Sequence, residues 1–146
     1  MTALFEHSPW VEARADARPS TGDRHADLMA VVHAATPEEQ LGLIRAHPEL
    51  AGKAAIDGSL TDASAAEQAS AGLDRLTPAE HARFHALNAA YRARFGFPFI
   101  ICVRRTTKAG ILAAMEARLA HDRDREIAHA INEIGEIARL RLEDMK

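Results

Sequence analysis

The sequence has one cysteine, one tryptophan and one tyrosine, and aromatic residues make up only 5% of its 146 positions. Because Cys102 is the only cysteine, the chain cannot form an intrachain disulfide, and this fits a reducing compartment. A large charge excess is also missing, since the formal net charge is -3. The sequence therefore predicts no nucleic-acid partner and no anionic membrane partner, and it favours a small molecule as the partner.

Long apolar runs are absent as well. The segment MTALFEHSPW lacks the basic and apolar regions of a signal peptide, and the longest apolar stretch, FPFIICV, is much shorter than a transmembrane helix. These absences predict a cytoplasmic protein. Hydrophobic residues form 47% of the chain and charged residues 27%, which is a globular composition. We therefore expect residues 1–146 to fold as one compact domain whose core needs no disulfide or structural metal.

Helix start signals are clear at three positions. Ser8, Thr36 and Thr77 each offer a capping hydroxyl followed by proline, and the two threonines also have glutamate three residues later, as in a capping box. Together with the apolar periodicity, these signals predict an all-α bundle of about seven to eight helices. The predicted helices are Pro9 to Ala17, Asp23 to Ala34, Pro37 to Ala46, Asp62 to Gly72, Pro78 to Arg94, Lys108 to His121 and Asp124 to Asp144.

One segment, residues 97–104, departs from the helical pattern. Pro98 blocks a helix there, and Phe99 to Val103 are mostly aromatic or β-branched. A single extended segment cannot build a sheet, so its backbone polar groups need partners from side chains, water or a ligand. We therefore expect an extended buried segment that forms one wall of a ligand site.

The stretch LIRAHPELAG places His47 at a helix end, directly before Pro48. An imidazole at such a position suits a general acid or base with a pKa near neutrality. The same position also suits a histidine that interacts as a cation with the helix C-terminus. The residue pattern leaves both interpretations open.

Two other residues could carry chemistry. Glu67, in SAAEQASAGL, has small neighbours and could reach a histidine or a substrate, or it could be an ordinary solvated glutamate. Arg141 falls on one helical stripe with apolar residues, whereas Arg139 falls on the opposite face. The apolar members of that stripe are Ile127, Ile131, Ile134, Ala138 and Met145. A guanidinium on this stripe pairs with an internal carboxylate, holds a ligand, or extends to solvent near the helix end.

His81 and His85 have the i, i+4 spacing that could bind a metal from one helical face. The chain has no HExxH arrangement and no cysteine cluster to support such a site. We therefore predict no metal, with a metal-dependent hydrolase as an alternative.

Five stretches, taken together, resemble the 2-oxo-4-hydroxy-4-carboxy-5-ureidoimidazoline (OHCU) decarboxylase family of urate breakdown. They are FEHSPWV, LIRAHPELAG, EQASAGL, LNAAYRARFGFPFIICVR and IARLRL. The resemblance spans nearly the whole chain. It implies a compact all-α fold, no metal or organic cofactor, a possible homodimer, and loss of carbon dioxide from the substrate to give (S)-allantoin.

The resemblance also implies roles for individual residues. His47 is the catalytic histidine, Glu67 the acidic residue that holds its ring, and Arg141 the substrate-binding arginine. The residues implied to contact substrate are Pro48, Ser64, Glu67, Gln68, Phe99, Ile100, Ile101, Cys102, Val103 and Arg141. The alternative is a non-catalytic helical module that binds a small polar ligand in the same pocket.

Overall fold

The computed structural model describes residues 4–52, 58 and 60–145. Within these ranges it contains seven α-helices and no β-strand, which confirms the all-α prediction. The helices are α1 (Trp10–Asp16), α2 (Arg24–Ala34), α3 (Pro37–Arg45), α4 (Asp62–Ser70), α5 (Pro78–Phe95), α6 (Lys108–Arg118) and α7 (Arg123–Asp144), with a 3₁₀ turn at Val103–Arg105. The seven predicted helices are all found, with ends that differ from the prediction by three residues or fewer. In the part of the chain described here, no helix has both the length and the apolar character needed to span a bilayer.

Local hydrogen bonds fix several of the helix starts. Thr36 and Thr77 both form complete capping boxes with the glutamate three residues later, as predicted. The predicted cap at Ser8 is wrong, because its hydroxyl donates to the carbonyl of Glu6 at 3.1 Å and α1 begins without a side-chain cap. Ser8 therefore stabilises the turn that carries Glu6 rather than the helix that follows.

The middle of the core is an aromatic cluster at the C-terminal end of α5. The ring of Tyr91 lies 4.6 Å from that of Phe95 and 5.3 Å from that of Phe99, measured between centroids. Gly96 ends α5 with a φ of 81°, a left-handed conformation that glycine adopts without strain. The extended segment that follows packs into the core instead of leaving for solvent.

Side chains complete the backbone of this extended segment. Arg118 donates from Nη1 to the carbonyl of Ile100 at 2.7 Å, and the amide of Cys102 donates to Oε1 of Glu133 at 3.2 Å. Arg118 is held in turn by Glu126, with 2.8 Å between Nε and Oε1. Residues 97–102 therefore form the expected non-helical wall, and side chains satisfy at least two of its backbone groups without a sheet. The predicted extended segment reached residue 104, but Val103 and Arg104 belong to the 3₁₀ turn and Arg104 is exposed.

Helix α7 buries the predicted stripe along most of its length. Ile131, Ile134, Ala138 and Arg141 are all buried. The prediction is wrong for Met145, which is 49% exposed, because α7 ends one residue earlier and Met145 lies outside the regular stripe.

Candidate active site

One cavity brings together the residues that the sequence singled out. It has an empty volume of about 450 Å³, partly open to solvent, between the end of α3, helix α4, the extended segment and α7. Each residue predicted to contact substrate lies on its wall, and so does His47. Three lining residues were not predicted, namely Leu50, Arg104 and Ile137.

His47 is 6% exposed, and its two ring nitrogens have different environments. Nδ1 lies 3.0 Å from the carbonyl oxygen of Leu43. Because a carbonyl can only accept, Nδ1 carries the proton in this bond and Nε2 of the neutral ring is an acceptor. Among the described residues Nε2 has no hydrogen-bond partner, although it is buried.

Burial controls the charge of His47. Desolvation is the main cause that lowers the pKa of His47 to about 4, against a smaller raising effect of the Leu43 carbonyl. The imidazole is therefore neutral near pH 7. The ring therefore bonds the carbonyl at the helix end without a positive charge, and the lone pair of Nε2 has no hydrogen-bond partner among the described residues.

Arg141 is buried, with a side chain 3% exposed, and is bound by two carboxylates. Its Nε and Nη2 donate to the two oxygens of Glu67 at 2.8 and 2.7 Å, a bidentate pair. Nη2 also donates to Oε1 of Glu6 at 2.9 Å. Arg139 lies on the other face and pairs with partly exposed glutamates of its own helix. Of the alternatives open for Arg141, pairing with internal carboxylates is therefore observed.

The structure corrects the predicted relation between Glu67 and His47. Glu67 binds Arg141 with both oxygens, whereas the ring of His47 is oriented by the Leu43 carbonyl. Glu67 therefore does not set the tautomer of His47. The two residues share the cavity, where each can act on a ligand independently.

Glu6 is a member of this cluster that the sequence did not reveal. It is 1% exposed, and its Oε1 accepts from the hydroxyls of Ser64 at 2.5 Å and Thr61 at 2.8 Å. Burial raises the pKa of Glu6, but the hydrogen bonds of Ser64 and Thr61 and the charge of Arg141 outweigh it, and the pKa lies below its usual value. A buried arginine requires a carboxylate, but the sequence could not indicate one located 135 positions away.

Two amide side chains hold the turn that follows Pro48. Oε1 of Gln68 accepts from the amide of Ala51 at 3.0 Å, and Nδ2 of Asn88 donates to the carbonyl of Leu50 at 2.9 Å. Ala51 has a φ of 52°, which a non-glycine residue adopts only when its surroundings hold it there. Gln68 therefore lines the cavity and also supports the chain that positions the His47–Pro48 pair.

Cys102 contributes to the wall without being a reactive thiol. Burial is the main cause that raises the pKa of Cys102 to about 11, so the thiol stays protonated. The backbone amide of Cys102 donates to Oε1 of Glu133 at 3.2 Å.

The family assignment rests on the whole length of the chain. A family model described as OHCU decarboxylase matches residues 1–143. The chain belongs to the OHCU decarboxylase family. The resemblance inferred from the five sequence stretches is thereby confirmed.

This chain is similar to several known proteins whose names state the reaction of the family. An OHCU decarboxylase of Halalkalicoccus jeotgali is 45% identical over 145 residues, which cover 97% of this chain and 80% of the relative. An OHCU decarboxylase of Haloferax volcanii is 44% identical over 142 residues, covering 95% of this chain and 82% of the relative. A crystal structure of (S)-allantoin synthase superposes with a TM-score of 0.70 at 32% identity, covering 97% of this chain and 46% of that chain.

The two histidines of the predicted metal pair do not line the cavity of this OHCU decarboxylase family member. His85 is exposed, and His81 is half-buried. Among the described residues, one group of three potential ligands has its atoms within 4.8 Å of one another: His121, Glu126 and His129. Arg118 and His121 already bind Glu126, so we assign this group to the hydrogen bonds of the core and not to a metal site.

Proposed function

We propose that this protein converts OHCU to (S)-allantoin with release of carbon dioxide, as a step of urate breakdown. One observation carries the proposal: a buried, neutral His47 with an unbonded Nε2 lines the same cavity as the Arg141–Glu67 pair. It does so in a chain that matches the family over residues 1–143, and the similar proteins carry the name of that reaction.

The substrate supplies the electronic means for its own decarboxylation. When the bond between the ring carbon and the carboxylate breaks, carbon dioxide leaves and the electron pair delocalises into the neighbouring ring C=N bond. Such stabilisation replaces the electron sink that an organic cofactor otherwise provides. The protein then has to orient the leaving carboxylate perpendicular to the conjugated ring and to manage protons.

His47 is assigned the proton transfers. Because Nδ1 is committed to the Leu43 carbonyl, Nε2 accepts a proton from the substrate's hydroxyl group and returns it to one face of the ring carbon next to it. The reaction as a whole consumes one proton from solvent, which ends on the ring. Delivery to a single face accounts for one enantiomer of allantoin as the product.

Arg141, Glu67 and the extended segment are assigned the orientation of the ring. The bidentate Arg141–Glu67 pair presents a planar polar edge to the cavity, suited to the amide-rich ureido-imidazoline. The apolar side chains of Phe99, Ile101 and Val103 keep water from the departing carboxylate. Glu6 accepts from the same nitrogen of Arg141, Nη2, as Glu67 does, and so helps to hold the guanidinium in place.

We further propose a cytoplasmic location and a homodimer, in which residues 1–146 form one domain. The single, buried Cys102 supports a reducing compartment. The dimer rests on the family resemblance, and gel filtration with light scattering measures it directly.

The first test is circular dichroism of a coupled reaction. Urate oxidase and hydroxyisourate hydrolase generate the unstable substrate, and the purified protein is then added. We expect a rapid (S)-allantoin signal with the wild type, and a rate about 10² to 10⁴ times lower with His47→Asn, as is typical when a proton-transfer residue is lost.

His85→Asn is the matched control, because it replaces an exposed histidine of α5. We expect this variant to keep full activity. Decay at the spontaneous rate to racemic allantoin with the wild-type protein would overturn the proposal. The non-catalytic binding module would then be the better description of the chain.

A further inference from the structure

The charges around the cavity do not balance for an anionic substrate. Among the described residues Arg141 is bound by two carboxylates, Glu67 and Glu6, so these three side chains together carry one net negative charge. His47 and Cys102 are neutral near pH 7. The carboxylate of a substrate is therefore repelled by the net charge of these side chains unless another cation lies close to it.

Arg104 is the other guanidinium on the wall of the cavity in the described part of the chain. It follows directly after the extended segment, in the 3₁₀ turn, and its side chain is 31% exposed. A second, adjoining cavity is lined by Arg104, Arg141, Glu67 and Asp144, so Arg104 lies between the buried charge cluster and solvent.

The present partner of Arg104 is easily exchanged. Asp144 binds it with two contacts, 2.6 Å from Nη1 to Oδ2 and 3.2 Å from Nη2 to Oδ1. Asp144 is 59% exposed at the last residue of α7, so water can solvate it when the pair opens. The two contacts make this pair stronger than a single surface contact, but both of its side chains stay accessible to water, which offsets most of the gain.

Arg141 differs from Arg104 in this respect. Separating Arg141 from its carboxylates would leave unpaired charges in a site where all three side chains are largely excluded from water. Of the two guanidinium groups, only the exposed one can turn toward an incoming anion at small cost.

We propose that Arg104 is a substrate-binding residue that exchanges Asp144 for the carboxylate of the substrate and so selects an anion. The proposal rests on the proposed function, because it assigns this contact within the same site. It predicts that Arg104 acts on the charged substrate but not on the product, which has lost the carboxylate and is neutral.

The test compares a charged with a neutral ligand. Initial rates of the coupled reaction give KM for the anionic substrate, and inhibition by added (S)-allantoin gives the affinity for the neutral product. We expect Arg104→Gln to raise KM about tenfold, as for loss of a charge-assisted hydrogen bond, and to leave the allantoin inhibition constant unchanged. Arg105→Gln is the matched control, because Arg105 pairs with Glu136 and does not line the cavity.

Asp144→Asn is an independent variant with the opposite expected sign. It removes the competitor for Arg104 while keeping the shape of the side chain, and we expect KM to fall, by up to about fivefold for an exposed pair. This variant decides the matter if Arg104→Gln does not fold, as judged by its circular dichroism.

Each other outcome overturns the proposal. For Arg104→Gln, these outcomes are an unchanged KM or an equal loss of affinity for substrate and allantoin. For Asp144→Asn, the outcome is a KM that is unchanged or higher. Any of them would show that Arg104 does not bind the carboxylate of the substrate. Failure of the proposed function is distinct, since the wild-type protein would then show no catalysis to compare.

Discussion

The ring of His47 shows how one backbone contact decides the chemistry available to a residue. A carbonyl oxygen at 3.0 Å fixes the proton on Nδ1, and burial keeps the ring uncharged. The site therefore starts the reaction with a base, not with an acid. This assignment depends on the position of Leu43 one helical turn earlier, not on any carboxylate.

At the same scale, Glu6 is expected to be a positioning residue. Glu6→Gln keeps the size and one acceptor oxygen but removes the negative charge that helps to hold Arg141. Because the buried Glu6 accepts from Ser64, Thr61 and Arg141, we expect the free energy of unfolding in urea to fall by about 1–3 kcal/mol. We expect kcat to fall about tenfold with a smaller change in KM, since the loss is of orientation in the transition state.

Glu38→Gln is the control for this variant, because Glu38 is exposed at the start of α3. A Glu6→Gln protein with full kcat would show that Glu67 alone positions the arginine. A large loss of stability with normal kcat would assign Glu6 to folding only.

At the scale of elements, a network of charges holds three helices to the extended segment. Glu126 at the start of α7 accepts from Tyr91 of α5 at 2.5 Å and from Arg118 of α6 at 2.8 Å. Arg118 also donates to the carbonyl of Ile100, which lies in the cavity wall. The network thus fixes the position of the wall relative to α7.

We expect Arg118→Met to lower the free energy of unfolding by about 3–5 kcal/mol, because it leaves the buried Glu126 carboxylate without its cation. The double variant Arg118→Met, Glu126→Leu removes the unpaired charge and is expected to regain part of this loss. Urea denaturation followed by circular dichroism measures both, with the exposed Arg125→Met as control. A double variant less stable than the single one would contradict the role of Arg118 as partner of Glu126.

At the scale of the whole molecule, buried groups tie stability to pH. The pKa of His47 is about 4 in the folded protein and 6.5 as its ordinary value, so the unfolded chain binds more protons between these pH values. Stability therefore falls as the pH falls from about 6.5 to 4, and the effect is complete below about 4. Glu6 adds to acid sensitivity, since its lowered pKa gives stability that is lost as it becomes protonated.

We expect His47→Asn to remove part of this dependence, up to about 3 kcal/mol between pH 7 and 4, from the shift in pKa. Thermal unfolding of both proteins between pH 7 and 4 measures how steeply the stability of each one changes with pH. The neighbouring charges of Glu6, Arg141 and His7 are unchanged by the substitution, so they affect both curves. Parallel curves for the two proteins would mean that His47 is not buried in its neutral form.

The sequence by itself determined the helices, because their signals are local. Thr36 and Thr77 cap their helices within three residues, Pro98 blocks a helix where it stands, and the stripe of α7 follows from the helical repeat. The sequence stretches also indicated which residues meet at the cavity, since their family likeness covers the whole chain.

Only the tertiary structure decided how those residues interact. The two carboxylates that bind Arg141 in the described part of the chain lie 74 and 135 positions away, and no local pattern selects Glu6 and Glu67 from the 21 acidic residues of the chain. The tautomer of His47 is set by the Leu43 carbonyl four residues earlier, but its charge depends on burial by elements that are distant in sequence. The Ser8 hydroxyl donates to the Glu6 carbonyl instead of accepting from the first turn of α1. Capping boxes such as those of Thr36 and Thr77 can be predicted from sequence, whereas the pairing of buried charges depends on which elements pack together.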